Sequence, residues 1–312
     1  MSMMLLVAVF LVVLQSSTAL ISSPSSIINP SKVKQVSSKP RAFVYEGFLT
    51  DLECDHLISL FLIFGFLGKK ARENLQRSAV ADNDNGDSQV SDVRTSSGTF
   101  ISKGKDPIVS GIEDKLSTWT FLPKGLYTLW LTENGEDLQV LRYEHGQKYD
   151  AHFDYFHDKV NIARGGHRIA TVLMYLSNVT KGGETVFPDA VESSRRQLSV
   201  NKDDLSDCAK KGIAVKPKKG DALLFFNLHQ DATPDTLSLH GGCPVIEGEK
   251  WSATKWIHVD SFDKIVTHDG SCADVNESCE RWAVLGECAK NPEYMVGTPE
   301  LPGNCRRSCK AC

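Results

Sequence analysis

The sequence predicts a mainly β fold with flanking helices (α+β), a sandwich or jelly roll followed by a small disulfide-rich C-terminal module. Three observations carry this. From Leu138 onward, runs of strand length at 138–144, 149–156, 168–177, 183–187, 213–216, 220–226 and 251–259 are punctuated by Gly, Asn and Asp. The helical patterns fall mostly before these runs, so the helices should pack on one outer face. Six of the nine cysteines lie between Cys272 and Cys312, a density that implies a disulfide scaffold in an oxidising compartment.

The 312 residues suffice for one large core with small appendages. Composition is ordinary for a globular chain, 41% hydrophobic and 24% charged. A net charge of −4 leaves no basic footprint, which argues against nucleic acid as a partner.

Taken in order, residues 1–21 open on an apolar run from Met3 to Leu14 and exit through small residues near Ala19. That is the pattern of a signal peptide or, if uncleaved, a signal anchor with membrane attachment. The run is short of the ~20 residues of a membrane span. Lys32, Lys34, Lys39 and Arg41 follow it, against the positive-inside tendency for an anchor with a lumenal body. Residues 22–40, rich in Ser, Pro and Lys, read as a linker. The main domain is expected over 41–260. Within it, 43–49 reads as a strand, and Thr50 with Glu53 forms a capping-box start to a helix. Residues 94–102 suggest a second strand. Asp106 followed by Pro107 starts a second helix, whose Ile108, Ile112, Leu116 and Trp119 recur at helical spacing. Residues 189–212 read as a polar loop, 261–271 as a short linker, and 272–312 as the cysteine module. Two sequons, at Asn178 and Asn276, agree with a secretory chain.

The chemistry is concentrated in His152, Asp154, His240 and Lys250. On a strand, residues i and i+2 share a face, so His152 and Asp154 can bind one ion from one side. With His240 from another strand they form the 2-His-1-carboxylate set of non-haem Fe(II) oxygenases. Lys250 is placed to hold the far carboxylate of a keto-acid co-substrate, and a buried ammonium needs such a partner. His56, His145, His157, His167, His229, His258 and His268 read as structural or surface residues. Zinc is disfavoured, because no H-x-x-x-H or C-x-x-C element lies near the set.

The surroundings of these residues resemble plant prolyl 4-hydroxylases, relatives of the collagen prolyl 4-hydroxylase catalytic subunit. The match runs through Arg94–Gly98 (RTSSG), Gln139–Tyr143 (QVLRY), Gly146–Tyr149 (GQKY), His152–Phe156 (HFDYF), Thr171–Leu176 (TVLMYL), Gly182–Thr185 (GGET), Lys219–Phe225 (KGDALLF) and Trp251–Trp256 (WSATKW), and covers about residues 41–260. The resemblance implies a double-stranded β-helix. It puts the iron ligands on His152, Asp154 and His240, and the 2-oxoglutarate contacts on Tyr143, Thr185 and Lys250. Peptide-handling positions fall on Arg94, Ser96, Glu136 and Arg168. The implied activity is of the procollagen-proline 4-dioxygenase type: trans-4-hydroxylation of peptidyl proline with Fe(II), 2-oxoglutarate, O2 and L-ascorbate. Proline-rich cell-wall glycoproteins in polyproline-II form are the implied substrates, and the endoplasmic reticulum, with the Golgi as a further compartment, is the expected location.

Cys208 and Cys243 match a cysteine pair of the collagen-type relatives, which implies one core disulfide and leaves Cys54 as an unpaired, buried small side chain. The C-terminal block resembles the ShKT domain, a six-cysteine module named after a sea-anemone toxin. That resemblance implies the pairs Cys272–Cys312, Cys279–Cys305 and Cys288–Cys309, whereas spacing alone leaves the connectivity open.

Two apolar segments depart from the family pattern, Phe61–Gly68 and Gly125–Thr132. They read as an added helix extension and an added strand or hairpin, or as translated intron sequence. The second lies just before Glu136. Two rival functions stand beside the hydroxylase: an oxygenase acting on lysine or another side chain, and a non-catalytic secreted jelly-roll and ShKT binding protein.

Overall fold

In the computed structural model, the described residues are 28–66, 78–81, 88–120, 134–192, 202–260, 262, 272–274, 278–297 and 303–312. The N-terminal signal or anchor, the segment 125–132, the Asn276 sequon and nearly all of the 261–271 linker lie outside them.

Sixteen strands are present among these residues. They are β1 (Val33–Lys39), β2 (Ala42–Tyr45), β3 (Ala79–Ala81), β4 (Ser88–Val90), β5 (Ser97–Ile101), β6 (Leu138–Tyr143), β7 (Tyr149–His152), β8 (Arg168–Tyr175), β9 (Lys181–Gly182), β10 (Thr185–Phe187), β11 (Val191–Glu192), β12 (Ile213–Val215), β13 (Ala222–Phe226), β14 (His240–Gly242), β15 (Val245–Glu247) and β16 (Lys250–His258). Two sheets frame the domain. The major one runs β11-β1-β2-β13-β8-β16-β6-β5 and the minor one β12-β10-β14-β7. Every strand pairing is antiparallel. This is the double-stranded β-helix that the sequence implied.

The two expected helices form where predicted, as α1 (Asp51–Phe66) and α2 (Pro107–Thr120). At α1 the capping box closes in both directions. The Thr50 amide donates to Glu53 Oε2 at 2.8 Å, and the Glu53 amide donates to Thr50 Oγ1 at 3.3 Å. At α2 the Asp106 carboxylate accepts from the amides of Ile108 and Val109, each at 2.9 Å. Both helices pack on one face of the major sheet. Leu57 and Phe61 of α1 and Ile112 and Leu116 of α2 share a core with Val140, Val172, Leu224 and Trp251. The first apolar departure is therefore helix extension as far as Phe66, with Phe61 edge-on to Trp251 at 4.9 Å.

Two sequence expectations need correction. Residues 22–40 are not linker throughout. Pro30–Lys32 form a 3-10 turn, and β1 pairs with β2 and β11. Its polar composition conceals the strand because the position is near a sheet edge, where Ser and Lys are tolerated, yet Val36 and Ser37 are fully buried. The strand expected over 149–156 stops at His152, so Asp154 is carried on the loop that follows. Within the loop expected at 189–212, β11 and two 3-10 turns form. The structure also contains α3 (Lys159–Gly165) and, in the C-terminal module, α4 (Cys279–Val284), α5 (Glu287–Lys290) and α6 (Pro292–Met295).

Four disulfides are formed, Cys208–Cys243, Cys272–Cys312, Cys279–Cys305 and Cys288–Cys309, the pairs that the resemblances imply. Cys54 is free and buried. Among the described residues, no helix is long and apolar enough to cross a membrane.

Candidate active site

Strand register assembles the site. On the minor sheet β14 pairs with β7 so that His240 stands opposite His152. On the major sheet β16 pairs with β6 so that Lys250 stands opposite Tyr143. Alternation then aims Lys250, Ser252, Thr254 and Trp256 into the cavity between the sheets, while Trp251 and Ala253 face the helices.

His152, Asp154 and His240 form the one group of potential metal ligands found among the described residues, with their ligand atoms all within 4.8 Å of one another. Each His Nε2 lies 3.6 Å from an Asp154 oxygen. The other ring nitrogens are occupied. His152 Nδ1 donates to the Asp150 carbonyl at 2.8 Å, and His240 Nδ1 to the Ser238 carbonyl at 3.0 Å. Those bonds require Nδ1–H, which leaves both Nε2 lone pairs free for a cation. Burial, helped by neighbouring His152, pushes His240 down to about 4, so it stays a neutral ligand. Burial alone would raise the Asp154 carboxyl. The facing His240 and His152 and the nearby Arg168 reverse this and hold it well below the usual carboxylate range.

Since Asp154 sits past the end of β7, its orientation is not set by strand alternation. It is set by Thr171 of β8, whose hydroxyl donates to Asp154 Oδ2 at 2.7 Å and accepts from Asn227 Nδ2 at 3.0 Å. Tyr149 stacks on His152, with centroids 3.5 Å apart. These three supporting residues were not singled out from sequence. Thr171 did leave a trace, as a polar residue between Ala170 and Val172 on the strand face it shares with Leu173 and Tyr175.

The other end of the cavity fits a carboxylate. Lys250 is 4% exposed, and its ammonium lies over the rings of Tyr143 and Tyr175 at 5.4 and 5.7 Å. Among the described residues it has no hydrogen-bond or ion-pair partner. Burial lowers it to about 8, and Glu184 works against that shift. Ser252 Oγ, two residues on and in the same wall, is buried with no hydrogen-bond partner among the described residues. Thr185 Oγ1 accepts from the Tyr175 hydroxyl at 2.9 Å, so the Thr185 proton is free to be donated. A charged donor and two hydroxyls around one buried space suit an anionic co-substrate. The two neutral imidazoles and one carboxylate suit Fe(II).

The four positions carried over as peptide contacts separate. Arg94 lines the cavity, lies over Tyr149 at 4.7 Å and donates to Gln139 at 2.8 Å. Ser96 is fully buried and donates to Ser78 at 3.0 Å, away from the described cavity wall. Glu136 and Arg168 bind each other through two bonds, at 2.5 and 3.0 Å. His258 Nε2 adds a third bond to Glu136, at 2.8 Å. Burial would raise the Glu136 carboxyl, but Arg168 and His258 hold it at about 2. Arg168 stacks between Phe156 and Trp256, at 4.7 and 4.1 Å. The sequon residue Asn178 is exposed, and its Oδ1 accepts from the Lys219 amide.

The chain is similar to known proteins. The family model of the 2OG-Fe(II) oxygenase superfamily matches residues 138–258, which contain all three ligands and Lys250. The chain is 86% identical over 310 residues to prolyl 4-hydroxylase 2 of Arabidopsis thaliana, covering 99% of this chain and 98% of that protein. It is 79% identical over 305 residues to probable prolyl 4-hydroxylase 4 of the same plant, covering 98% and 96%. A similar solved structure is the viral collagen prolyl hydroxylase of Paramecium Bursaria Chlorella virus-1 in its 2OG complex, at 27% identity and TM-score 0.46, covering 69% of this chain and 94% of that one. Similarity of this degree across nearly the whole of both relatives means that the chain belongs to the plant prolyl 4-hydroxylases, within the 2OG-Fe(II) oxygenases.

Proposed function

We propose that this chain hydroxylates C4 of proline in proline-rich polypeptides, with Fe(II), 2-oxoglutarate and O2, and with L-ascorbate as reductant. The observation that carries this is the pairing in one cavity of the His152–Asp154–His240 set with the buried ammonium of Lys250, which has no hydrogen-bonded partner among the described residues. Iron held by these residues would let O2 act as the oxidant, with one oxygen atom going to C4 of proline and the other to succinate as 2-oxoglutarate loses CO2.

The protein's own residues do the rest. His152, Asp154 and His240 would hold the ion, and Thr171 with Asn227 fixes the orientation of the Asp154 carboxylate. Lys250 would pair with the distal carboxylate of 2-oxoglutarate, and Tyr143 and Thr185 would offer it hydroxyl donors. Burial of this end keeps water from competing for those bonds. Arg94, Tyr149 and Trp256 line the substrate side. An extended polyproline-II segment suits such a wall, because it carries little conformational entropy to lose on binding. Proline-rich cell-wall glycoproteins in the secretory pathway, in the endoplasmic reticulum or Golgi, are the substrates we propose. The N-terminal apolar run would direct the chain there, as a cleaved signal or as an anchor.

The test is direct. Purified full-length protein is incubated with Fe(II), 2-oxoglutarate, ascorbate and either a proline-rich or a lysine-containing peptide, and mass spectrometry locates any added oxygen. Oxygen at C4 of proline, with peptide-dependent succinate that a His152→Ala control lacks, is the expected result. Oxygen on lysine would replace the prolyl reading. No peptide-dependent succinate above the control would defeat enzymatic function.

A further inference from the structure

The C-terminal cysteine module is seated against the loop that leaves the metal site. Phe156, two residues past Asp154 and 7% exposed, shares one apolar cluster with Ile162 of α3 and with Cys279, Tyr294, Met295 and Cys305 of the module. α3 packs on α6. The Tyr294 hydroxyl donates to Asp260 Oδ2 at 3.1 Å, at the end of the catalytic domain. The Tyr294 ring covers the Gly166 backbone so closely that a Cβ added there would stand 3.0 Å from its Cε2. Gly166 also has φ +70°, so the position accepts glycine on two counts.

On its other side Phe156 carries the Arg168 guanidinium at 4.7 Å, and Arg168 in turn covers Trp256 at 4.1 Å. Trp256 is a wall of the active-site cavity. A continuous stack thus runs from the module's apolar cluster through Phe156 and Arg168 to Trp256. The supported segment has little strength of its own. α3 has seven residues, well below the ~12–15 at which a helix becomes even marginal in water. It is held by an Asp158 cap and by what it packs on. The module is itself fixed by Cys279–Cys305 and Cys288–Cys309, so it offers α3 and its preceding loop a rigid surface.

We propose that the module is a buttress of the active site, with Tyr294 and Met295 as positioning residues. They fix Phe156 and α3, and through Phe156 the Arg168–Trp256 wall on the substrate side. The mechanical half of this stands on packing alone. Its kinetic half rests on the prolyl hydroxylase reading above.

The test uses the full chain as wild type, Tyr294→Ala and Tyr294→Phe, with Met295→Ala replacing the first variant if that fails to fold. Amide hydrogen exchange across residues 155–166 requires no activity. Tyr294→Ala should exchange these amides about ten-fold faster, a loss of ~1.4 kcal/mol of local stability, and Tyr294→Phe, which keeps the ring, should not. With a proline-rich peptide, Tyr294→Ala should raise KM about five- to ten-fold, while kcat and half-saturating 2-oxoglutarate stay within about two-fold. Unchanged exchange over 155–166 overturns the proposal. Faster exchange with KM unchanged, or with kcat and 2-oxoglutarate use falling alongside, overturns the substrate-wall role. If the wild type releases no peptide-dependent succinate, the functional reading fails separately, and exchange still decides whether the buttress exists.

Discussion

The two ends of the active-site cavity are built on opposite terms. At the iron-binding end each ligand is held from behind before any ion arrives: His152 by the Asp150 carbonyl, His240 by the Ser238 carbonyl, and Asp154 by Thr171. At the end proposed for 2-oxoglutarate, Lys250 is buried over two tyrosine rings with no carboxylate in hydrogen-bond or ion-pair contact among the described residues, and Glu184 acts on it only through its longer-range charge. The first end is preorganised and satisfied. The second is preorganised and unsatisfied, which gives the co-substrate a charge to complete. Metal affinity on these terms depends on supporting bonds, whereas co-substrate affinity draws on the cost of burying the Lys250 ammonium.

Four substitutions break or sharpen this contrast. His152→Ala removes a ligand. Succinate release should fall by more than the ~100-fold that loss of an outer supporting partner causes, and an Fe(II) titration should show weakened binding with the fold intact by circular dichroism. Lys250→Met has the second largest effect and divides by end. Half-saturating 2-oxoglutarate should rise by ~30-fold or more, as for truncating a buried charge pair worth 2–5 kcal/mol, while Fe(II) affinity is unchanged. The same variant should be at least as stable as wild type without ligands, because it removes a buried unpaired charge.

The sign of the pH dependence follows from Lys250 being lowered by burial to about 8 from its usual 10.5. Below about 8 both folded and unfolded states are protonated, and the folded state bears the full cost, about 3 kcal/mol. Between about 8 and 10.5 the unfolded state binds more protons, so stability rises with pH. Urea titrations from pH 7 to 10.5 should show that rise in wild type, and Lys250→Met should lack this contribution.

Thr171→Val tests the satisfied end by loosening Asp154 while keeping shape. Fe(II) affinity should drop by about 10-fold, toward the low end for outer partners, with half-saturating 2-oxoglutarate changing less. Smallest is Tyr175→Phe, which deletes the bond to Thr185. A loss of ~1 kcal/mol corresponds to about a five-fold rise in half-saturating 2-oxoglutarate, and Fe(II) titration should not register it. A variant that moved both ends equally would show that the cavity does not divide as described.

The proximity of His152, Asp154 and His240 was legible in the sequence, and Lys250 could be singled out with them, because recognisable motifs surround these residues. The strands β6, β8, β13 and β16 were legible as runs of strand length, rich in aliphatic and aromatic residues and bounded by Gly, Asn and Asp. What escaped has physical causes. β1 was taken for linker because a strand near a sheet edge needs few apolar residues, and only Val36 among them is fully buried. Asp154 was placed on a strand, since nothing in H-x-D distinguishes a strand from a strand end followed by a loop. Thr171, Asn227 and Tyr149 act only through tertiary contacts. The Glu136–Arg168–His258 cluster spans 122 positions of the chain between Glu136 and His258, so no local pattern announces that two of the expected peptide contacts bind each other.

One feature of β16 has a wider consequence. Lys250, Ser252, Thr254 and Trp256 all project from a single strand that pairs with β6 on one side and β8 on the other. The proposed co-substrate contact and the proposed substrate wall are therefore graduated on one ruler. Shifting that ruler by a single residue would turn all four side chains toward the helices and bring Trp251, Ala253 and Lys255 into the cavity in their place. A deletion inside β16 cannot trade one specificity for another, because the two move together. Length changes can be absorbed in the turn at Glu247–Glu249, before the ruler begins, and that is where this scaffold has room to vary without losing both functions at once.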